Sequence, residues 1–305
     1  MRAFTSDTFV LPLPSTHRFP MAKYRRLRER VEAELPNVEL TPATPVDREQ
    51  LARVHGDAYL HRVLTQTLSP REVRVIGFPQ SPELAWRERH STGGTVDAAR
   101  AALDDGIAVN LAGGTHHASP DQGQGYCLFN DAAVAIRTLQ AEGRIERALV
   151  VDLDVHQGNG TARCLQGDGT AFTLSVHNAK NFPFEKAQSD LDVPLGDDLD
   201  DEAYFAAVEP AIDEAFAHSE PDLVIYNAGV DVFEGDKLGR LALSAEGVHE
   251  RDRLVFAACH ARGVPIAATM GGGYAPDVEV IVALHLATIR EASRWTWGVR
   301  WSRTG

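Results

Sequence analysis

The chain has 305 residues, 44% of them hydrophobic and 24% charged, with a formal net charge of −13. That composition fits a soluble globular protein of one large α/β domain or two small ones, and it argues against extensive disorder. The acidic balance argues against general binding to a phosphate backbone, which needs clustered lysine and arginine; it is compatible with cationic substrates or with simple solubility.

The three cysteines, Cys127, Cys164 and Cys259, are odd in number and far apart. They offer no C-x-x-C pair, so neither a disulfide framework nor a cysteine zinc site is expected, and a reducing compartment fits. The first residues lack the apolar core of a signal peptide. No apolar run approaches the ~20 residues that span a bilayer. A cytoplasmic protein is the expectation.

In chain order, the Pro-rich pieces Leu11–Pro14 and Thr41–Pro45 read as loops. A helical pattern covers Thr92–Leu103, and a short apolar run at Ile107–Leu111 reads as a buried strand. Strands are expected again at Ala148–Leu153, Phe172–Val176, Leu223–Tyr226 and Val264–Ala268. Helices are expected at Asp131–Glu142, Asp201–His218, Ala245–Arg262 and Pro276–Glu291. This alternation predicts a mainly parallel sheet covered by helices on both faces. The tail Arg294–Trp301 carries three tryptophans and is expected to pack on its own body rather than on a partner chain.

A polar cluster follows each expected strand. Gly113–His117 follows the first; Asp152, Asp154 and His156 end the second; Ser175 and His177 end the third. Asn227–Asp231 ends the fourth, and Gly271–Tyr274 ends the fifth. Ligands of open parallel sheets bind at the carboxyl ends of strands, so five segments are expected to converge on one site.

In a strand, alternate residues point the same way, so Asp152, Asp154 and His156 would share one direction. Two buried carboxylates side by side call for a compensating cation. Asp231 is a further carboxylate in a glycine-containing turn. Asp154, His156 and Asp231 would leave one position open on a catalytic zinc. The adjacent His116 and His117 cannot both be ligands from one strand face and suit proton transfer instead. Tyr274 follows three glycines; its phenol either donates to a developing oxyanion or is a plain loop aromatic. That glycine run lacks the spacing of a nucleotide-binding loop, and no Walker lysine follows. The turn Gly123–Cys127 either walls a narrow channel with Tyr126 or simply precedes a helix.

Taken together, these segments resemble the zinc-dependent histone deacetylases of the arginase/deacetylase fold. The match rests on Ser91–Gly94, Gly113–His117, Asp152–Gly160, Tyr226–Asp236 and Gly271–Tyr274, in the family's order over about residues 15–290. The resemblance implies a single-domain three-layer α/β/α fold with a mainly parallel central sheet. It implies Asp154, His156 and Asp231 as Zn2+ ligands and His116, His117 and Tyr274 as catalytic residues. It also implies Asp152 as the carboxylate that orients His116. A structural K+ site is implied at Asp152, Asp154, Ser175 and the backbone of His156 and Val176. Gly125 and Tyr126 would line the acyl-lysine tunnel.

One position departs from the class I pattern. An aspartate backs the second histidine there; here the residue is Asn159. This asparagine is similar to that of the class IV (histone deacetylase 11-like) branch, and it should leave His117 less basic. The function implied is hydrolysis of acetyl or longer fatty acyl groups from the lysine side-chain amine of peptides or proteins. Acetylpolyamines and other acylated small amines are the alternative substrates. A non-catalytic acyl-lysine binder would be expected to have lost ligands or the tyrosine, and all are present.

Overall fold

The computed structural model describes residues 1–7, 11–14 and 16–295. Its central strands are the short apolar runs, because a strand covered by helices on both faces must be apolar on both. They are β3 (Ile107–Asn110), β4 (Ala148–Asp152), β5 (Ala171–Asn178), β7 (Leu223–Asn227) and β8 (Ile266–Thr269). Three more strands complete the sheet: β1 (Arg2–Thr5), β2 (Glu39–Pro42) and β6 (Leu191–Leu195). The order is β2-β1-β3-β8-β7-β4-β5-β6, and every neighbouring pair is parallel. All strand carboxyl ends therefore lie along one edge.

Period-two alternation divides the core into two layers. Val109, Leu149, Val151, Val224, Tyr226 and Ala268 face one cluster. It is covered by helices α1 (Lys23–Glu34), α8 (Asp201–Ser219), α9 (Ala245–Arg262) and α10 (Val278–Ala292). Ala108, Val150, Ile225 and Ala267 face the other. There the cover comes from α2 (Arg48–Ala52), α3 (Asp57–Leu64), α4 (Pro70–Ile76), α5 (Pro82–Asp105) and α6 (Asp131–Ala141). A short helix, α7 (Asn159–Leu165), follows the β4 loop. No described helix is long and apolar enough to cross a membrane.

Local signals set the helix ends. Ser81 caps α5 by accepting from the Leu84 amide, Pro82 occupies its first turn, and Gly106 closes it at φ 86°. Asn130, Asp200 and Ser244 cap α6, α8 and α9 in the same way.

The structure corrects several expectations. Thr41 and Pro42 belong to edge strand β2 rather than to a loop, and an edge strand tolerates a proline that cannot donate. Ser175 and His177 lie inside β5, which runs on to Asn178. The helix expected from Thr92 begins ten residues earlier, at Pro82. Val264 and Pro265 precede β8 rather than joining it. Trp295 packs on the body and donates to Glu291 at 3.1 Å; the rest of the tail lies outside the described residues.

Candidate active site

The loops leaving β3, β4, β7 and β8 at the shared sheet edge meet in one cavity of about 480 Å³. Its lining includes His116, His117, Gly125, Tyr126, Asp154, His156 and Tyr274.

Asp131, the first residue of α6, shapes the histidine loop. Its carboxylate accepts from the amides of Gly114 (2.9 Å) and Thr115 (2.8 Å) and from the hydroxyls of Thr115 (2.8 Å) and Thr95 (2.6 Å). Both imidazoles then project into the cavity with their rings 4.1 Å apart. His116 Nδ1 lies 2.7 Å from Asp152 Oδ2, and His117 Nδ1 lies 2.7 Å from Asn159 Oδ1. The Asn159 amide nitrogen donates to Gln124 Oε1 at 3.0 Å, which fixes its carbonyl toward the histidine. A carbonyl only accepts, so Nδ1 of His117 carries the proton and Nε2 is left as a base.

The two histidines differ in basicity. Burial would lower His116, but Asp152 and Asp154 outweigh it and raise the imidazole to about 9. For His117, burial and the neighbouring His116 and His156 push the pKa well below the usual imidazole value, and the Asn159 contact opposes this only in part.

Asp152 ends β4, whereas Asp154 and His156 stand beyond it in the following turn. The shared direction expected from strand alternation therefore arises differently, through loop hydrogen bonds. Asp152 Oδ1 accepts from the Asp154 amide at 3.2 Å, and Asp154 Oδ1 accepts from the His156 amide at 3.0 Å. Asp231 Oδ1 accepts from the Val155 amide at 3.0 Å and so joins the β7 loop to the β4 loop. His156 Nδ1 sits 3.0 Å from Asp154 Oδ1 and 3.1 Å from Asp231 Oδ2.

One ligand atom from each of Asp154, His156 and Asp231 falls within 4.8 Å of the others, and all three side chains are buried. Burial would lower His156, but the hydrogen bonds and charges of Asp154 and Asp231 reverse this and raise it to about 10. Burial and the charge of Asp154 raise Asp231 to about 6. The cluster thus demands positive charge, and a divalent cation meets that demand with a coordination position left open. The donor set fits a metal.

Gly272 completes this centre. Its amide donates to Asp154 Oδ2 at 2.9 Å, and a Cβ on it would collide with Asp231 Oδ2 and Asp154 Oδ2. Tyr274 follows, its amide donating to Asp236 at 2.6 Å and its ring 6.5 Å from that of His156. Burial, then Asp231 and Asp154, raise the Tyr274 phenol well above its usual value, so it remains a proton donor.

Gly125 and Tyr126 also line the cavity. At Gly125 (φ 53°) a Cβ would lie 2.7 Å from His117 Cδ2 and 3.1 Å from the Phe182 ring. The glycine therefore keeps the channel open between His117 and Phe182, whose ring stands 4.9 Å from the imidazole. Ser175 is the register partner of Asp152, and Val176 follows it in β5. Of the residues expected at a potassium site, Asp152, Ser175 and Val176 thus lie on adjacent strands, and Asp154 and His156 lie in the loop that follows β4.

Sequence reasoning missed several residues of this region. Lys23 on α1 is buried, donates to the Gly271 carbonyl at 2.9 Å, and lies 5.7 Å from the Tyr274 ring centroid. Burial lowers it to about 8 against the opposing pull of Asp231 and Asp154. Arg87 and Glu88 on α5 form a buried pair that lines the cavity, with Arg87 4.7 Å from the Tyr24 ring. Arg251 on α9 is fully buried and donates to the carbonyls of Leu153 (3.2 Å) and Gly229 (2.5 Å), tying together the loops that carry Asp154 and Asp231. Asp252 balances it at 2.7 Å. Phe182 carried no motif. For these residues the only available signal was a charged or aromatic side chain in a stretch otherwise readable as ordinary helix or loop.

Known proteins resemble this chain over most of its length. The histone deacetylase domain model matches residues 17–289. An uncharacterized protein of Picosynechococcus sp. is 43% identical over 93% of this chain and 95% of its own. Histone deacetylase 2 of Arabidopsis thaliana is 30% identical, covering 91% of this chain and 74% of its own. A histone deacetylase-like amidohydrolase of Pseudomonas aeruginosa is 30% identical over 88% and 77%. Among solved structures, an HDAC homologue complexed with SAHA superposes with a TM-score of 0.82 at 24% identity, over 96% of this chain and 83% of that one. The fold and the site define a single-domain α/β protein with an eight-stranded, all-parallel sheet and a buried Asp–His–Asp cluster at its carboxyl edge. The chain belongs to the histone deacetylase family.

Proposed function

We propose that the protein is a zinc-dependent amidohydrolase that removes acyl groups from the lysine side-chain amine. The observation that carries this reading is the convergence, in one cavity, of an Asp154–His156–Asp231 centre, a histidine held as a base and a tyrosine held as a donor. Zinc held by those three residues would polarise the amide carbonyl and make water acidic enough to be deprotonated near neutral pH.

The chain's own residues supply the rest. Nε2 of His117 takes a proton from the attacking water. The Tyr274 hydroxyl donates to the carbonyl oxygen as negative charge develops there. His116, held protonated by Asp152, gives a proton to the departing amine, which leaves as lysine. Tyr126, Gly125 and Phe182 wall the channel that the acyl-lysine stem would occupy.

We assign the protein to the class IV branch on Asn159. A structural potassium ion at Asp152, Asp154, His156, Ser175 and Val176 belongs to the same proposal. The P. aeruginosa relative's designation as an amidohydrolase supports the reaction class.

The test is a panel of lysine peptides acylated from acetyl to myristoyl, together with acetylated polyamines, assayed with and without a chelator. Chelator-sensitive release of free lysine amine is the expected result. Hydrolysis of the polyamines alone, or turnover unaffected by the chelator, would contradict the proposal.

A further inference from the structure

The ionisable groups around the cavity separate by exposure, Arg87 and Glu88 being buried and Arg18, Arg74, Lys180 and Arg240 exposed at its mouth. The buried Arg87 and Glu88 neutralise each other. At the mouth the lining carries Arg18, Arg74, Lys180 and Arg240, and among the described residues no acidic side chain lines the mouth beside them. Arg18 and Arg74 are exposed and form no ion pair among the described residues. Arg74 precedes Val75 and Ile76, whose carbonyls accept from the Gly125 and Tyr126 amides at 3.1 and 2.7 Å. It therefore sits beside the Tyr126 wall, where Arg18 also exerts its field on the Tyr126 phenol. Lys180 and Arg240 stand on the Phe182 side and share one carboxylate, Asp197, at 3.0 and 3.3 Å. One carboxylate answers two cations there, and both remain more than half exposed.

A cationic mouth on a chain of net charge −13 is a local reversal of sign. Such reversals steer ligands of the opposite charge and repel those of the same charge. Acylation removes the charge of the target lysine, so the rim acts on whatever flanks it.

We infer that the preferred substrate is an acyl-lysine set among carboxylates in an acidic stretch of polypeptide, read by Arg18, Arg74, Lys180 and Arg240. This rests on the deacylase reading and narrows it. Polyamines, which keep cationic amines after acetylation, and lysine- and arginine-rich tails meet repulsion at the same rim. Exposed pairs are individually weak, about 1.5- to 5-fold each, but several act together.

The experiment uses matched acetyl-lysine peptides flanked on both sides by glutamate, glutamine or lysine, with kcat/KM measured at low and high salt. The expected order is glutamate, then glutamine, then lysine, with about tenfold or more between the extremes at low salt and contraction at about 0.5 M salt, where screening is nearly complete beyond contact. The Arg18→Glu/Arg74→Glu double variant should abolish or invert the order.

Equal kcat/KM for all three peptides, or an order unchanged in the double variant, overturns the inference while leaving the deacylase reading standing. If no peptide is hydrolysed, the deacylase reading falls. Fluorescence-anisotropy binding of the same peptides then decides the inference by the same order.

Discussion

The pairing of His117 with Asn159, where a carboxylate would give a different base, has consequences for pH dependence. His117 acts only when Nε2 is unprotonated, so activity is lost as pH falls through its pKa. Burial and two neighbouring imidazoles hold that pKa well below the ordinary value. Activity limited by this residue should therefore persist through the usual imidazole range. Asn159→Asp would place a negative charge 2.7 Å from Nδ1 and raise the pKa. The acidic limb of kcat/KM should move to higher pH in that variant, with bound zinc measured in parallel as a control. Superimposable profiles at equal zinc content would show that His117 is not the base. Tyr274→Phe keeps the ring and removes only the donor, so kcat should fall about 10²–10³-fold. Retention of wild-type kcat would remove Tyr274 from the reaction.

At the scale of elements, the centre depends on how loops after parallel strands are tied to one another. Arg251 joins the β4 and β7 loops through two carbonyls, and its charge is balanced by Asp252, itself held by the hydroxyls of Tyr226 and Thr288 at 2.6 Å. Arg251→Met leaves Asp252 buried without its partner, so urea denaturation should show a loss of about 3–5 kcal/mol. A loss within experimental error would mean that the loops hold without this tie. Gly272→Ala should weaken zinc binding about 10–100-fold, because the Cβ displaces both carboxylate ligands. The central strands and the site loops were legible in the sequence because a strand buried on both faces is an uninterrupted apolar run, and polar groups at its end stand out. Edge strands β2 and β6 were not, since they are short, partly polar and carry a proline, nor was β1 beside β2, which is only four residues long and begins with an arginine. Lys23 and Arg251 were invisible for another reason. Each lies inside a helix, and its partner, the Gly271 or Gly229 carbonyl, is distant in sequence or offers no side chain to notice. The Asp152–Asp154–His156 spacing singled out residues that the structure does bring together, but through a different geometry, since only Asp152 is in the strand.

For the whole molecule, the eight-stranded parallel sheet brings carboxylates together at one edge, and a cation bound there would offset their mutual repulsion. Metal that binds only the folded chain stabilises it by mass action, about 2.7 kcal/mol at a free concentration 100 times Kd. Chelation should therefore lower the Tm, and added zinc should restore it. The acidic surface and the basic cavity mouth give the molecule a charge pattern that selects among substrates without altering the chemistry at the centre. The central claim is that one zinc, held by Asp154, His156 and Asp231, makes this chain an acyl-lysine hydrolase. The most direct measurement is to strip the protein of metal and titrate zinc back while following hydrolysis of an acetyl-lysine peptide. Activity should rise linearly and break at one zinc per chain, and Asp231→Asn should show neither the break nor the activity. Hydrolysis by the metal-free protein, or an undiminished titration in Asp231→Asn, would contradict the account.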